Sequence, residues 1–129
     1  MIVLDTHVWV WWRAEPAKLS RRARAAIDAE PRLGLCPISC WEVATKVVKG
    51  KLALDRDLRV WIKQALAHPR LSLLPIDQDI AVDAALLGDQ GFHGDPADRL
   101  IAATAKRHKS ELVTKDKALR AHPAVATIW

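Results

Sequence analysis

No stretch of this sequence approaches the roughly 18 consecutive apolar residues that a membrane-spanning helix requires. The opening Met1-Ile2-Val3-Leu4-Asp5 carries neither a basic leader nor an apolar run long enough for secretion. Both absences lead to the expectation of a soluble, cytoplasmic protein. Cysteine is scarce: Cys36 and Cys40 are the only two, too few for a disulfide framework, and no matching Cys/His pair makes a zinc site of them. Both are expected as buried thiols. The five histidines, at 7, 68, 93, 108 and 122, show no ligand spacing. Internal repeats, linkers and low-complexity segments are also missing, so residues 1–129 are expected to form one domain. What is present suits that expectation. Half of the 129 residues are hydrophobic, enough to close a core. Lys and Arg outnumber Asp and Glu by 20 to 15, a net charge of +5 that suits a polyanionic partner without requiring one.

Along the chain, short apolar runs alternate with helical patterns. Ile2 to Leu4 reads as a strand and His7 to Ala14 as a helix stopped by Pro16. A basic, alanine-rich helix runs from Ser20 to about Glu30, and Leu33 to Cys36 is a second strand. Ser39 begins a helix through Trp41, Val43, Ala44, Val47 and Val48 that stops at Gly50, and Asp57 caps another containing Trp61 and Leu66. Leu71 to Leu74 is a third strand, and a helix follows from about Asp77 to Leu87. After a loop marked by Gly88, Gly91 and Gly94, Asp95-Pro96 opens a helix to about His108. Glu111 to Thr114 is a fourth strand, Asp116 to Ala121 a helical turn, and Val125 to Trp129 a last strand. Strands separated by helices need crossover connections, which predicts an α/β fold: a mainly parallel sheet of four to five short strands with helices on both faces. Of the tryptophans, 9, 12, 41 and 61 are assigned to the core, whereas Trp11 and Trp129 are expected to be partly exposed.

In such folds ligands bind at the carboxyl ends of the strands, where strand order reverses. Asp5 directly follows the first strand and Asp116 closely follows the fourth. If these strands are neighbours, the two acids start about 5 Å apart. Glu42 lies in the first turn of the helix after strand two, and Asp98 in the first turn of the helix opened by Pro96. Ile101, Ala102 and Ala105 stand at i+3, i+4 and i+7 from Asp98, which puts this acid on the apolar stripe that a solvated carboxylate would avoid. Two unit charges about 5 Å apart repel by roughly 3 kcal/mol at an effective dielectric of about 20, so four acids at one edge call for protons or a cation. An all-oxygen donor set selects a hard ion, Mg²⁺ or Mn²⁺. A hard cation on carboxylates with open positions is suited to phosphodiester hydrolysis.

Each acid also has a structural explanation. Ser39-Cys40-Trp41-Glu42 matches a capping box. Asp95 is a normal N-cap, Asp98 suits the helix dipole, and Asp116 and Asp5 can cap the helices that follow them, with Thr6 equally able to do so for the first. Capping alone does not require a common edge. An aspartyl-nucleophile phosphatase is a rival, but such enzymes commonly carry a second Asp two residues on, where this chain has His7. A DNA-binding regulator is disfavoured because no helix pair reads as helix-turn-helix. His7, two residues from Asp5, is placed to touch substrate.

Leu4-Asp5-Thr6-His7, Trp41-Glu42, the run from Asp95 to Ala105, and Leu112-Val113-Thr114-Lys115-Asp116 resemble, in order and spacing, the PIN-domain family, and within it the VapC-type toxin branch. The resemblance covers nearly the whole chain and implies a three-layer α/β/α fold. It implies that Asp5, Glu42, Asp98 and Asp116 are catalytic metal ligands, with Thr114 assisting through its hydroxyl and Asp95 as an extra acid. Thr6 and His7 are grouped with those two as accessory residues. The activity implied is a Mg²⁺- or Mn²⁺-dependent endoribonuclease that cuts RNA needed for translation, acts as a homodimer and is paired with a VapB-like antitoxin. The alternative is a PIN-like module that binds RNA or protein without cutting, whose mark would be a lost acid.

Overall fold

In the computed structural model, which describes residues 1–129, five short strands make one all-parallel sheet in the order β3-β2-β1-β4-β5. They are β1 (Ile2–Leu4), β2 (Leu33–Leu35), β3 (Leu71–Leu73), β4 (Leu112–Val113) and β5 (Thr127–Ile128). Seven helices connect them: α1 (Thr6–Ala14), α2 (Arg21–Ala29), α3 (Ile38–Val48), α4 (Leu58–Leu66), α5 (Gln78–Asp89), α6 (Pro96–Arg107) and α7 (Lys117–Ala121), with a 3₁₀ turn at Pro16–Lys18. The expected β/α alternation is present. No helix is long and apolar enough to cross a membrane.

The chain leaves β1 for β2 and β3 on one side, then returns to place β4 and β5 on the other. Strand order therefore reverses at β1, where Leu4 pairs with Leu35 and with Val113. The carboxyl ends of β1 and β4 open the crevice where ligands bind in parallel sheets. Side chains alternate across the sheet, and the core divides accordingly. Ile2, Leu4, Leu33, Leu35 and Val113 pack with Trp9, Ile27 and Trp61 on one face, while Val3 and Leu112 pack with Ile80, Ile101 and Leu119 on the other. The sheet is thus the middle of three layers. Gly34, at the centre of β2, admits Leu74, whose Cδ1 lies 2.5 Å from where a Cβ would stand.

Most helix starts follow from their caps. Ser20 accepts from Ala23 N–H, Asp57 from Val60, Asp77 from Ile80, Asp95 from Asp98 and Asp116 from Leu119. Gly50 follows α3 at φ 70°, the left-handed value that ends helices. Several expectations need correction. α3 begins at Ile38, after Pro37, so Ser39 lies inside the helix and the Ser39–Glu42 capping box does not form. Trp41 is 59% exposed rather than core, because the buried stripe of α3 runs through Ser39 and Val43. Cys40 is only half-buried, whereas Cys36 is fully buried. Gly88 belongs to α5, and β5 pairs over Thr127–Ile128 alone.

Candidate active site

Asp5 leaves β1 and caps α1, and it is only 3% exposed. Its Oδ1 accepts the Thr6 N–H at 2.7 Å, and its Oδ2 accepts the Thr114 hydroxyl at 2.7 Å. Two fixed donors hold the carboxylate in one orientation. Thr114 Oγ1 in turn accepts the Asp116 N–H at 3.0 Å, so one hydroxyl ties together the ends of β1 and β4. Asp116 uses Oδ1 to accept the Leu119 N–H at 3.0 Å, which starts α7.

From the next layer, Glu42 reaches the same crevice. The Thr6 hydroxyl has a single proton and donates it to Glu42 Oε1 at 2.5 Å, so in the 2.8 Å contact with Thr6 the donor is Ser39. Ser39, which sequence reasoning took for a cap, instead supports the Thr6–Glu42 bond from a fully buried position. Asp95 caps α6 through Oδ1, which accepts the Asp98 N–H at 2.8 Å. An N-cap side chain reaches toward the third helical residue, so a spacing of three brings the two carboxyls together. One carboxylate oxygen each of Glu42, Asp95 and Asp98 lies within 4.8 Å of the others.

The tightest group is therefore Glu42, Asp95 and Asp98, with Asp95 more central than an accessory. Asp5 and Asp116 surround it at a distance still felt electrostatically. The Asp98 carboxyl is pushed up to about 7, first by burial and then by Asp95, Asp5, Asp116 and Glu42 in that order. Burial also raises the Glu42 carboxyl, partly offset by the Thr6 hydrogen bond and reinforced by Asp5 and Asp95. No ion pair of the structure involves Glu42, Asp95, Asp98 or Asp116. Capping and clustering turn out to be compatible at Asp95 and Asp116, because the cap engages one oxygen and leaves the other.

His7 borders the cluster. Its Nε2 accepts the Lys115 N–H at 2.9 Å, which leaves the proton of the neutral ring on Nδ1, 3.6 Å from Asp5 Oδ2. Burial holds its pKa below the usual histidine value despite Asp5. With its acceptor nitrogen engaged, the ring offers no free lone pair to a metal, and the donor set remains all oxygen. Crowded carboxyls without a basic partner, one of them pushed up to about 7, fit a hard divalent cation.

Comparisons with known proteins match the chain over nearly its whole length. The family model described as PIN domain matches residues 2–125. Ribonuclease VapC22 of Mycobacterium tuberculosis is 40% identical over 130 residues, covering 99% of this chain and 98% of that protein. A toxin–antitoxin complex from Klebsiella pneumoniae contains a chain that is 25% identical, with a TM-score of 0.69 over 98% of this chain and 97% of its own. VapBC2 from Rickettsia felis, bound to a DNA fragment from its promoter, shares the fold at 17% identity, with a TM-score of 0.71 and coverage of 98% and 97%.

Proposed function

This chain belongs to the PIN domain family, and on that premise we propose that it is a VapC-type toxin, an endoribonuclease that works at the Asp5, Glu42, Asp95, Asp98 and Asp116 cluster. The observation that carries the reading is the packing of Glu42, Asp95 and Asp98 within 4.8 Å of one another, with Asp98 raised to about 7 and no basic side chain paired with any of them. Its nearness to ribonuclease VapC22 supports RNA as the substrate, and its likeness to the Klebsiella toxin–antitoxin complex supports a VapB-like antitoxin partner. A second copy of the chain, as homodimer, and a cytoplasmic location complete the proposal.

Mg²⁺ or Mn²⁺ bound here would polarise a phosphodiester and acidify water beside it. Glu42, Asp95 and Asp98, joined by Asp5 and Asp116 from the sheet side, are the residues proposed to hold it. Asp5 is fixed by Thr6 and Thr114, and Glu42 by Thr6, so these carboxylates need little reorganisation when substrate arrives. In-line attack by water on phosphorus would break the P–O3′ bond, leaving a 5′-phosphate on one product and a 3′-hydroxyl on the other. The proton lost by water is balanced by the one gained at the 3′ oxygen.

Asp98→Asn and Asp5→Asn test the reading. Each is expected to lower cleavage by about 10³-fold, matching the several kcal/mol that such a charge site supplies, with an unchanged circular dichroism spectrum. Chelator should abolish wild-type cleavage. Near-full activity of either variant at low metal, or a cyclic phosphate product, would overturn the assignment.

A further inference from the structure

We propose that the surface made by Trp11 and Trp129 beside His7, continuing into the hollow lined by Arg22, Lys117 and Arg120, is the docking track for single-stranded RNA flanking the cut. The indoles would stack a base, and the cations would bind phosphates. The proposal rests on the ribonuclease reading and adds the residues that hold the substrate beside the acids.

Of the three tryptophans of α1, Trp9 is buried and Trp12 packs against the core, but Trp11 joins neither half of it, while Trp129 is partly buried against the half that holds Trp9. Trp11 instead meets Trp129 with ring centroids 6.0 Å apart and tilted by 51°, so the rings do not cover each other face to face. His7 stands edge-on to both, at 5.0 and 6.4 Å. The same His7 lies 3.6 Å from Asp5 and accepts the Lys115 N–H, so the aromatic group begins where the acidic cluster ends. Trp129 also forms part of the wall of a hollow of about 410 Å³ with Arg22, Lys117, Arg120 and Thr127. Lys117 is the residue after Asp116, which ties the hollow to the acids through α7.

The charge around the indoles separates RNA from a protein ligand. Lys18 and Lys115 each place Nζ 5.9 Å from the Trp11 ring centre. Of Lys18, Arg22, Lys115, Lys117 and Arg120, only Lys18 has an acidic partner, Glu15 at 3.1 Å. Protein interfaces deplete their centres of charge, whereas aromatic faces interleaved with free cations match the alternating bases and phosphates of a single strand.

The test is fluorescence anisotropy of a fluorescein-labelled octauridylate, in chelator and recovered intact, titrated with full-length protein over a range of salt. Trp129→Ala is expected to weaken binding by at least about fivefold, the low end for loss of one stacked base. Trp129→Phe, which keeps an aromatic face, should restore most of it while reducing the quenching of indole fluorescence by RNA. Lys117→Ala with Arg120→Ala should reduce the slope of log K against log salt by about 1.4, two single-strand phosphate contacts. Wild-type affinity and slope in these variants would overturn the track, as would unchanged RNA binding with loss of a protein partner. Cleavage by Asp98→Asn is scored separately. If that variant still cuts while Trp129→Ala fails to bind, the metal-site reading falls and the track is supported.

Discussion

At neutral pH the Asp98 carboxyl, pushed up to about 7, is divided between its neutral and charged forms. In the unfolded chain it would return to its ordinary value of 3.8 and be ionised. Between about pH 4 and 7 the folded state therefore binds more protons than the unfolded one, and stability falls as pH rises through that window, levelling off above it. Full conversion of such a shift is about 4 kcal/mol. Partial exposure and solvent screening reduce it to about 1–2 kcal/mol. In chelator, urea unfolding should show Asp98→Asn more stable than wild type by that amount at pH 8, with the difference shrinking toward pH 4. Added Mn²⁺ at pH 8 should raise the wild-type midpoint more than that of the variant. An Asp98→Asn advantage that fails to grow from pH 5 to 8 in chelator would contradict the crowding on which the site depends.

Among the elements, the joint between β1, β4 and α7 depends on one hydroxyl, since Thr114 donates to Asp5 and accepts from the Asp116 amide. Thr114→Val keeps the shape and removes both bonds. Mn²⁺ affinity by calorimetry should drop by about 10- to 100-fold, as when an outer partner of a metal ligand is lost, and Thr114→Ser should recover most of it. This joint was partly legible in the sequence. Periodicity and caps located every helix, but the adjacency of β1 and β4 that pairs Asp5 with Asp116 stood only as a condition, which the sheet order meets. Three things were missed. Ser39 to Glu42 spells a capping box, but Pro37, at φ −57° and ψ −22°, already adopts helical geometry and starts the turn earlier, which frees Ser39 and Glu42 for Thr6. The apolar residues of α3, Ile38, Cys40, Trp41, Val43, Ala44, Val47 and Val48, cover too wide an arc to choose its buried side, and Trp41 fell on the wrong one. Asp95 looked complete as a cap, although the three-residue step to Asp98 is the signal that both carboxyls would meet.

Taken whole, the molecule has a core split by the sheet into two halves of 14 buried residues each, so neither face has packing to spare. Trp9, fully buried and edge-on to Trp61 at 5.3 Å, anchors the half beneath α1. Trp9→Ala should cost about 3–5 kcal/mol, a large share of the 5–15 kcal/mol typical of a domain. Urea denaturation should show that loss as a lower midpoint at unchanged slope. The bond between Asp5 and Thr114 spans 109 positions of sequence, and this long closure governs when the protein becomes dangerous. During synthesis the first acid emerges early and waits, unanchored, until nearly the whole chain has followed. A nascent chain that has not yet released Thr114 and Asp116 therefore lacks the complete site. In cell-free translation, chains stalled at Ser110 are expected to leave RNA intact, whereas released full-length chains cut it. Timing of this kind is a safeguard written into strand order.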